Sequence, residues 1–531
     1  MKKILSLTIA SVFAIFLCSK CDFTDPSEGL QLNVDYNIIV SAIGLTFVDA
    51  ATQEEIILDN NELITVNISG KDKDKVLDAT GEYFSRYEIE IGALSLAINP
   101  NHTIGESSPV DFAIEVKAKG YLTAHRSFKI SEEGISSFRV ELIKESTPPE
   151  GVKLKAYEDI AVVSGGVLQE EIIIGDEQND FKIEIPESTV IKDADGNALT
   201  GKISVKQMAF SPTSEDALTL MPGGDGSVFT NAVTPEGNSQ EIEFVSAGFF
   251  ELKLTDESGK VAENFTNGAI TVTYPVDEEV VNPDTNEKVK EGDEVPVWSF
   301  NEEEGEWKFE YNTTVKKVNG KLQFVAELDH LSYWNFDWWR DRQRCSYGGS
   351  INFTSSNSTG RYAFYTRYYD ASSNRYLGTK YMSGIPNRAN RLIRVPAGRE
   401  VKFKVIRNYT RTYQTPAEFT INDLCSDNAN IPLATASGIK NVTVNIVGRC
   451  SSNDDVIIRP TYWARLYNKT ARTSKWVRIN NGKATVNGLQ DGDQLRVYVY
   501  YKGWHSEDIT YDGKTEYNFD FDLPSDVCDN F

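Results

Sequence analysis

Val401-Lys402-Phe403-Lys404-Val405 places an apolar residue at every second position, with lysines in between. The same two-residue period returns in Leu495-Arg496-Val497-Tyr498-Val499. Successive side chains of a β-strand point to opposite faces, so this period predicts strands with one buried face and one polar face. Turn-forming stretches such as Asp195-Gly196-Asn197 and Asn481-Gly482 separate runs of this kind and indicate hairpins between antiparallel strands.

Short β-rich runs with Gly, Asn and Asp turns continue through almost the whole chain, and hardly any stretch has the period of a helix. This pattern predicts an all-β fold of tandem antiparallel β-sandwich domains, of the Ig-like or transthyretin-like kind. At roughly 100–200 residues per domain, a chain of 531 residues is long enough for several such domains.

We expect six segments along the chain. They are a signal peptide with its lipidation region (1–21), a tether (22–29), a β-sandwich (30–147), a central extracellular β-module (152–344) and two further β-sandwiches (345–437 and 438–531). The stretch Thr147-Pro148-Pro149-Glu150-Gly151 is the linker before the central module. The sequence has no strict repeat of fixed period, although the last two blocks are similar in size.

Charge and composition exclude several classes of protein. The chain has 54 Lys+Arg against 78 Asp+Glu and a formal net charge of -24, which argues against a partner with a phosphate backbone, such as a nucleic acid. Four His and six Cys leave little material for metal clusters or His-based catalysis, so we expect no metal, no cofactor and no enzyme activity.

The charge is also uneven along the chain. Residues 346–531 have 24 basic and 17 acidic residues, a net charge of +7, and residues 1–345 have a net charge of -31. This asymmetry fits a solvated acidic stalk. It also fits a basic distal region suited to anionic or glycan partners.

The N-terminus has the pattern of an export signal. Met1-Lys2-Lys3 precedes an apolar run over residues 4–17, and Cys18 and Cys21 follow. A Cys at the end of such a run predicts a bacterial lipoprotein held in a membrane by acyl chains. Cys18 ends the apolar run better, whereas acylation at Cys21 leaves an even number of cysteines. Plain secretion after cleavage is the alternative.

The stretch Asp22-Phe23-Thr24-Asp25-Pro26-Ser27-Glu28-Gly29 resembles the acidic tether of surface lipoproteins of the Bacteroidetes. This resemblance implies a Gram-negative cell, with the protein lipid-anchored in the outer membrane or at the cell surface. Within residues 30–147, Ala118-Lys119-Gly120-Tyr121 leads towards a strand like those of transthyretin-like or carboxypeptidase-regulatory-like sandwiches.

Four cysteines remain beyond the signal, and four cysteines allow three pairings. In an oxidising compartment we expect them to be bonded. The sequential pairs Cys345–Cys425 and Cys450–Cys528 would each staple one of the last two blocks. The alternative is that the bonds cross the boundary between the blocks.

The central module contains Phe181-Lys182-Ile183-Glu184-Ile185, Met221-Pro222-Gly223-Gly224 and Pro296-Val297-Trp298-Ser299-Phe300 in this order. It ends with His330-Leu331-Ser332-Tyr333-Trp334-Asn335-Phe336-Asp337. This order resembles an extracellular β-module of bacterial surface proteins and a segment of cartilage intermediate layer protein. The resemblance implies an all-β fold in an extracellular setting and no particular reaction.

His330-Leu331-Ser332 also resembles the His-x-Ser step at which β-sandwich modules of adhesion receptors and death-domain proteins cleave themselves. Ser332 would then be the nucleophile, His330 the base and Leu331–Ser332 the scissile bond. The alternative is that both are ordinary hydrogen-bonding residues.

Aromatic residues are frequent in the last domain, and Tyr498 and Tyr500 fall on the polar side of their strand. Together with Trp504 they predict a face that could stack on sugar rings. The same rings could instead pack under a neighbouring domain or form a protein interface.

These observations favour a non-catalytic cell-surface lipoprotein that acts in binding, adhesion or scaffolding. The alternatives are a glycan-binding accessory lipoprotein of a polysaccharide-uptake system and an autoproteolytic surface module. The sequence does not name a protein or glycan ligand.

Overall fold

A computed structural model describes residues 31–32, 41–58, 62–78, 81–89, 91–175, 181–223, 229–341, 344–356, 360–450, 453–500, 504–523 and 528. These residues lie almost entirely in strands and turns. The helices among them are α1 (Glu215–Leu218) and one 3-10 turn (Lys73–Lys75). The predicted all-β class is therefore confirmed. None of the helices in this part of the chain is long and apolar enough to cross a bilayer.

The chain divides into two compact units, residues 39–439 and residues 1–38 together with 440–531. Strand β1 (Gln31–Leu32) belongs to the second unit, because it pairs in parallel with the strand Asn453–Ile458. We had expected residues 31–32 in the block 30–147. A two-residue strand buries little surface of its own. Its position therefore depends on the open sheet edge with which it pairs.

The first unit begins with the N-terminal sandwich. Its strands are β2 (Ser41–Asp49), β3 (Ile64–Ser69), β4 (Val76–Asp78), β5 (Arg86–Ile89), β6 (Ala93–Ile98), β7 (Val110–Lys117), β8 (Ala124–Ile130) and β9 (Gly134–Leu142). Two sheets, β4-β6-β2-β9 and β5-β3-β7-β8, enclose an apolar core that includes Leu45, Val66 and Phe112.

The central module follows and is larger. Its strands are β10 (Val152–Ser164), β11 (Val167–Leu168), β12 (Ile172–Ile174), β13 (Lys182–Ile185), β14 (Val190–Lys192), β15 (Gly201–Phe210), β16 (Phe229–Val233), β17 (Ser239–Asp256), β18 (Asn264–Thr266), β19 (Ile270–Pro275), β20 (Val281–Asn282), β21 (Glu287–Lys288), β22 (Glu294–Asn301), β23 (Glu306–Thr314), β24 (Lys316–Val318), β25 (Lys321–Leu328) and β26 (Tyr333–Asp341). A ten-stranded sheet, β16-β23-β22-β26-β17-β15-β10-β11-β14-β18, and a five-stranded sheet, β12-β13-β19-β25-β24, bound one apolar core.

The third sandwich completes the first unit. Its strands are β27 (Arg344–Thr354), β28 (Tyr362–Asp370), β29 (Tyr376–Gly384), β30 (Ala389–Pro396), β31 (Val401–Asn408), β32 (Tyr413–Gln414), β33 (Glu418–Ile421), β34 (Asn428–Pro432) and β35 (Ala434–Thr435). Its sheets are β30-β27-β34 and β29-β28-β31-β33. Val401 and Phe403 of β31 are buried, as their alternation predicts.

The C-terminal sandwich forms the second unit together with β1. Its strands are β36 (Lys440–Cys450), β37 (Asn453–Ile458), β38 (Tyr462–Asn468), β39 (Thr473–Asn480), β40 (Lys483–Leu489), β41 (Gln494–Tyr500), β42 (Trp504–Thr510) and β43 (Glu516–Asp522). They follow the order β1-β37-β36-β40-β39-β38-β41-β42, and β43 pairs with β36. Asn481 and Gly482 both have positive φ in the β39–β40 turn, the geometry that an Asn-Gly hairpin favours.

The three small sandwiches share one topology. In each, the first strand lies between an antiparallel partner and a later strand that runs parallel to it: β6-β2-β9, β30-β27-β34 and β40-β36-β43. The second sheets also correspond: β5-β3-β7-β8, β29-β28-β31-β33 and β39-β38-β41-β42. The sandwich is thus a structural repeat, even though the sequence has no fixed period.

The cysteines form Cys345–Cys425 and Cys450–Cys528, which is the sequential pairing. Each disulfide joins the first strand of a sandwich to the chain next to the strand that runs parallel to it. Cys345–Cys425 lies near the start of its parallel pair and Cys450–Cys528 near the end, and neither bond crosses between the two blocks.

One apolar core continues through all three domains of the first unit. Its buried members include Ile143 of the N-terminal sandwich, Phe244 of the central module and Phe403 of the third sandwich. A shared core of this kind, unlike a polar interdomain contact, favours a single body.

Charged groups reinforce this body at the junction between the central module and the third sandwich. Glu243 of β17 is only 3% exposed, yet it forms ion pairs with two arginines of the third sandwich. Arg375 pairs with its Oε1, and Nη1 of Arg399 lies 3.1 Å from the same oxygen. Arg399 also lies 3.7 Å from Asp370. A carboxylate out of contact with water needs such cations close by.

The N-terminal sandwich is held in the same way. The guanidinium of Arg139 donates to Tyr409 and, over 2.9 Å, to the carbonyl of Gln53, and it lies 5.3 Å from the ring centroid of Tyr365. Arg126, which is 4% exposed, donates to backbone carbonyls next to α1. The three domains of the first unit are therefore joined by apolar packing and by arginine contacts.

Replacing Glu243 by Gln should lower the free energy of unfolding of the first unit by about 2–3 kcal/mol. This is less than for a fully buried pair, because both arginines keep about a quarter of their surface exposed. The measurement is urea denaturation followed by tryptophan fluorescence. Glu279→Gln breaks an exposed pair with Lys288 and is the matched control, with no measurable change expected. Equal stability of Glu243→Gln and the unchanged chain would contradict the account.

Candidate functional site

His330 and Ser332 lie in the short connection between β25 and β26. The His330 Nδ1 atom is 2.7 Å from Oδ1 of Asp329, and its ring centroid is 4.9 Å from that of Trp334. Ser332 is buried, and its hydroxyl donates to the carbonyl of Phe300. Burial acts to raise the pKa of Asp329, but the hydrogen bond and charge of His330 lower it.

This geometry bears on self-cleavage. A base that activates Ser332 must accept its proton, and here the proton points to a backbone carbonyl. The imidazole of His330 contacts a carboxylate instead. The arrangement is that of two side chains satisfied by local hydrogen bonds, and the sequence alone did not separate this case from a nucleophile–base pair.

A buried carboxyl group, that of Asp337, lies five residues further on. Asp337 and Asn335 of β26 are both 0% exposed. Asp337 accepts hydrogen bonds from the Ala247 amide (3.1 Å) and from Nδ2 of Asn335 (2.8 Å). Ala247 belongs to an irregularity of β17, where Gly248 has φ +137° and a Cβ would meet the ring of Tyr274 at 2.6 Å.

Burial raises the pKa of Asp337 to about 7, although Asn335, Ser246 and the nearby amides favour the charged form. The Asn335 Oδ1 atom is buried and accepts no hydrogen bond within the described part of the chain. Oδ1 of Asn335 can therefore accept a hydrogen bond from the Asp337 carboxyl group when that group carries a proton. The contacts of this pair are all internal, so we assign it a structural role in the bulge and no part in chemistry.

The outer face of the sheet β39-β38-β41-β42 is the predicted aromatic surface. Ala464, Leu466 and Val497 point into the core, so their neighbours in β38 and β41 lie on the opposite face. That face includes Trp463, Tyr467, Trp476, Arg496 and Tyr498, and also Arg465, whose side chain is only 1% exposed. Tyr498 is placed there as the alternation predicts. The side chains of Tyr500 and Trp504 lie outside the described residues.

Arginines alternate with the rings on this face. The Arg465 guanidinium lies 5.6 Å from the ring centroid of Tyr498, and that of Arg478 lies 6.0 Å from Trp463. Burial lowers the pKa of Arg465 to about 10, against the effect of Tyr498 and Tyr467. The sequence pattern indicated the rings of this strand but not that Arg465, between Trp463 and Tyr467, is buried.

The remaining site predictions concern lipidation and metals. Cys18 and Cys21 lie outside the described residues. No group of three or more His, Cys, Asp or Glu side chains in the described ranges is placed to hold a metal ion.

Comparison with known proteins gives only distant likenesses. No protein-family model matches the chain, and no curated protein matches it. A streptococcal ancillary pilin is similar with a TM-score of 0.15 and 8% identity over 44% of this chain and 93% of the pilin. The Bacillus anthracis TIE protein has a TM-score of 0.15 and 9% identity over 90% of this chain and 72% of its own.

The shaft pilin SpaA from Lactobacillus rhamnosus GG has a TM-score of 0.16 and 9% identity, covering 34% of this chain and all of the pilin. Scores of this size do not establish a common arrangement of domains. The fold class rests on the strands and sheets described above.

The raised pKa of Asp337 predicts a pH dependence. Because the folded state keeps the proton up to about pH 7 and the unfolded state loses it near pH 4, stability should fall as the pH rises between these values. Between pH 5 and pH 8 the loss due to Asp337 should be about 2–3 kcal/mol. Asp337→Asn should remove this contribution, since Asn335 can turn its free Oδ1 towards the new amide, whereas the contribution of Glu251, whose pKa burial raises to about 8, should remain. Urea denaturation at both pH values is the measurement, and identical pH dependence in both proteins would refute the assignment.

Purified protein without its signal should migrate as one band of full mass on a denaturing gel. The reason is that the Ser332 hydroxyl is held by the Phe300 carbonyl. Ser332→Ala should leave the band unchanged, with Ser299→Ala as a control on the neighbouring strand. Two fragments that meet at Leu331–Ser332 and vanish in Ser332→Ala would establish self-cleavage.

Proposed function

We propose that this protein is a non-catalytic cell-surface protein that acts in binding, adhesion or scaffolding. The observation that carries the proposal is the junction at Glu243, where one buried carboxylate holds two arginines of another domain. Ionisable groups converge here to join domains, and their contacts are with one another. A body locked in this way keeps its surfaces in fixed positions, which suits a protein that presents them to partners.

The charge distribution supports the same role. Residues 346–439 contain 12 basic and five acidic residues, and residues 440–531 contain 12 of each, so the basic excess belongs to the third sandwich. Arg367, Arg375, Arg399 and Lys404 of that sandwich all contact carboxylates of the central module. Part of the excess of basic residues that suggested an anionic ligand is thus paired with carboxylates of the chain itself.

The proposal places the protein outside the cytoplasm on a lipid anchor, with Cys21 or Cys18 as the acylated residue. It is supported by the basic and apolar pattern of residues 1–17 and by two disulfides, which persist in oxidising compartments. Attachment to the outer membrane and an origin in the Bacteroidetes are the finer form of this proposal.

A glycan-binding accessory role in polysaccharide uptake is the second candidate. The observation in its favour is Tyr498 on the outer face of the C-terminal sheet, where aromatic rings could stack on sugars. Against it, the Arg465 guanidinium already lies over that ring. The geometry at Ser332 favours no autoproteolytic role.

Cell fractionation tests the proposal. The chain expressed in a Gram-negative host should be found in the membrane fraction and should be cut by protease added to intact cells. Cys21→Ser or Cys18→Ser should release it, with Ser19→Ala as the matched control. Cells that display the protein should attach to a substratum more than cells that carry the released variant. Recovery in the cytosol, or equal attachment of both strains, would overturn the proposal.

A further inference from the structure

Strand β1 joins the region behind the predicted lipidation site to the last sandwich of the chain. Gln31 and Leu32 pair in parallel with Ile457 and Ile458 of β37. On its other side β37 pairs with the end of β36, where Ile458 is opposite Gly448. Without β1, β37 would have an unpaired edge, and such edges attract a further strand. The C-terminal sandwich is therefore built from two separate parts of the sequence, and the first unit lies between them in chain order.

The segment around Cys528 is fixed at the same hairpin. β36 and β37 meet at a short turn, where Cys450 and Asn453 are register partners. Cys450 forms the disulfide with Cys528. One hairpin of the C-terminal sandwich therefore holds both the segment that follows the lipidation site and the segment around Cys528.

Few residues separate β1 from the predicted anchor. Gln31 is ten residues after Cys21 and thirteen residues after Cys18. An extended chain spans about 3.3–3.6 Å per residue, so β1 lies within about 36 Å of an acylated Cys21 or within about 47 Å of an acylated Cys18. Acyl chains hold that cysteine at the lipid surface. The C-terminal sandwich is thus the first domain that the anchored chain reaches, although it is the last in sequence.

The charge balance of the C-terminal sandwich suits a position near lipid headgroups. Residues 440–531 have 12 basic and 12 acidic residues, so the net charge of -24 belongs entirely to residues 1–439. A surface of anionic lipids attracts basic residues by about 1 kcal/mol each and repels acidic ones. An electroneutral domain meets no net repulsion there, whereas an acidic domain in the same place would.

We propose that the C-terminal sandwich is the membrane-proximal domain of this protein and is held at the phospholipid surface by the pairing of β1 with β37. The inference rests on the lipid anchor of the proposed function and adds to it which domain meets the bilayer. It reverses the order that the charge distribution suggested, in which the acidic residues 1–345 form the stalk and residues 346–531 are distal.

Thiol crosslinking tests the strand pairing without a membrane. In the chain from residue 22 onward all four cysteines are in disulfides, so two introduced thiols are the only free ones. Gln31→Cys and Ile457→Cys are register partners, and dibromobimane should bridge them within one chain. The matched control is Gln31→Cys with Lys514→Cys, an exposed position next to the start of β36, where no bridge should form. Intact-mass spectrometry is the measurement.

Energy transfer to lipids tests the position at the membrane. The lipidated chain, with a donor dye attached enzymatically beyond Cys528, is reconstituted in phosphatidylethanolamine–phosphatidylglycerol vesicles that contain a rhodamine-labelled lipid. Strong energy transfer is expected. Gln31→Pro with Leu32→Pro should lose most of it, because proline donates no hydrogen bond to the neighbouring strand and the released segment lengthens the tether. Ser27→Pro with Glu28→Pro places the same two prolines before β1 and should keep the transfer.

Two results would overturn the proposal alone. One is a lipidated chain that floats with the vesicles while residues 31 and 457 are not bridged, or are bridged only between two chains. The other is equal energy transfer from the two double-proline variants. A chain that is bridged within itself but does not float with the vesicles would instead overturn the lipid anchor of the proposed function, and this inference with it.

Discussion

The first unit depends on one carboxylate group that is buried away from water. Glu243 is buried between domains, and two arginines of the third sandwich converge on its Oε1 atom. Desolvation makes an unpaired charge at this position prohibitively unfavourable, so the sandwich that supplies the arginines cannot separate without exposing or stranding the carboxylate. Around this junction an apolar core continues through three domains, and Arg126 and Arg139 bind the N-terminal sandwich to the same body.

Ion pairs between domains also account for part of the uneven charge along the chain. A basic third sandwich faces an acidic central module, and the contacts that hold them together use the outer faces of sheets as well as their cores. The repeated topology allows one strand pattern, aromatic–x–Arg–x–Tyr, to serve such a face. In β28 that pattern contacts Glu215 and Asp216 of the central module.

The alternation in Val401–Val405 and the hairpin turn at Asn481-Gly482 were sufficient to predict the all-β class, because each depends on local geometry. The cysteine spacing favoured the sequential disulfides and left the crossed pairing open, and only the folded structure decides between them. The position of Gln31–Leu32 was not predictable, since a two-residue strand has no pattern of its own. Nor was the pairing of Glu243 with Arg375, which depends on packing between distant segments.

Differential scanning calorimetry of the chain from residue 22 onward tests the central claim most directly. If buried charge pairs and a common core make residues 39–439 one body, the N-terminal sandwich, the central module and the third sandwich should unfold in a single cooperative transition. At most one further transition is expected, for the C-terminal sandwich. Three or four separate transitions would show that the domains unfold independently and would contradict the account.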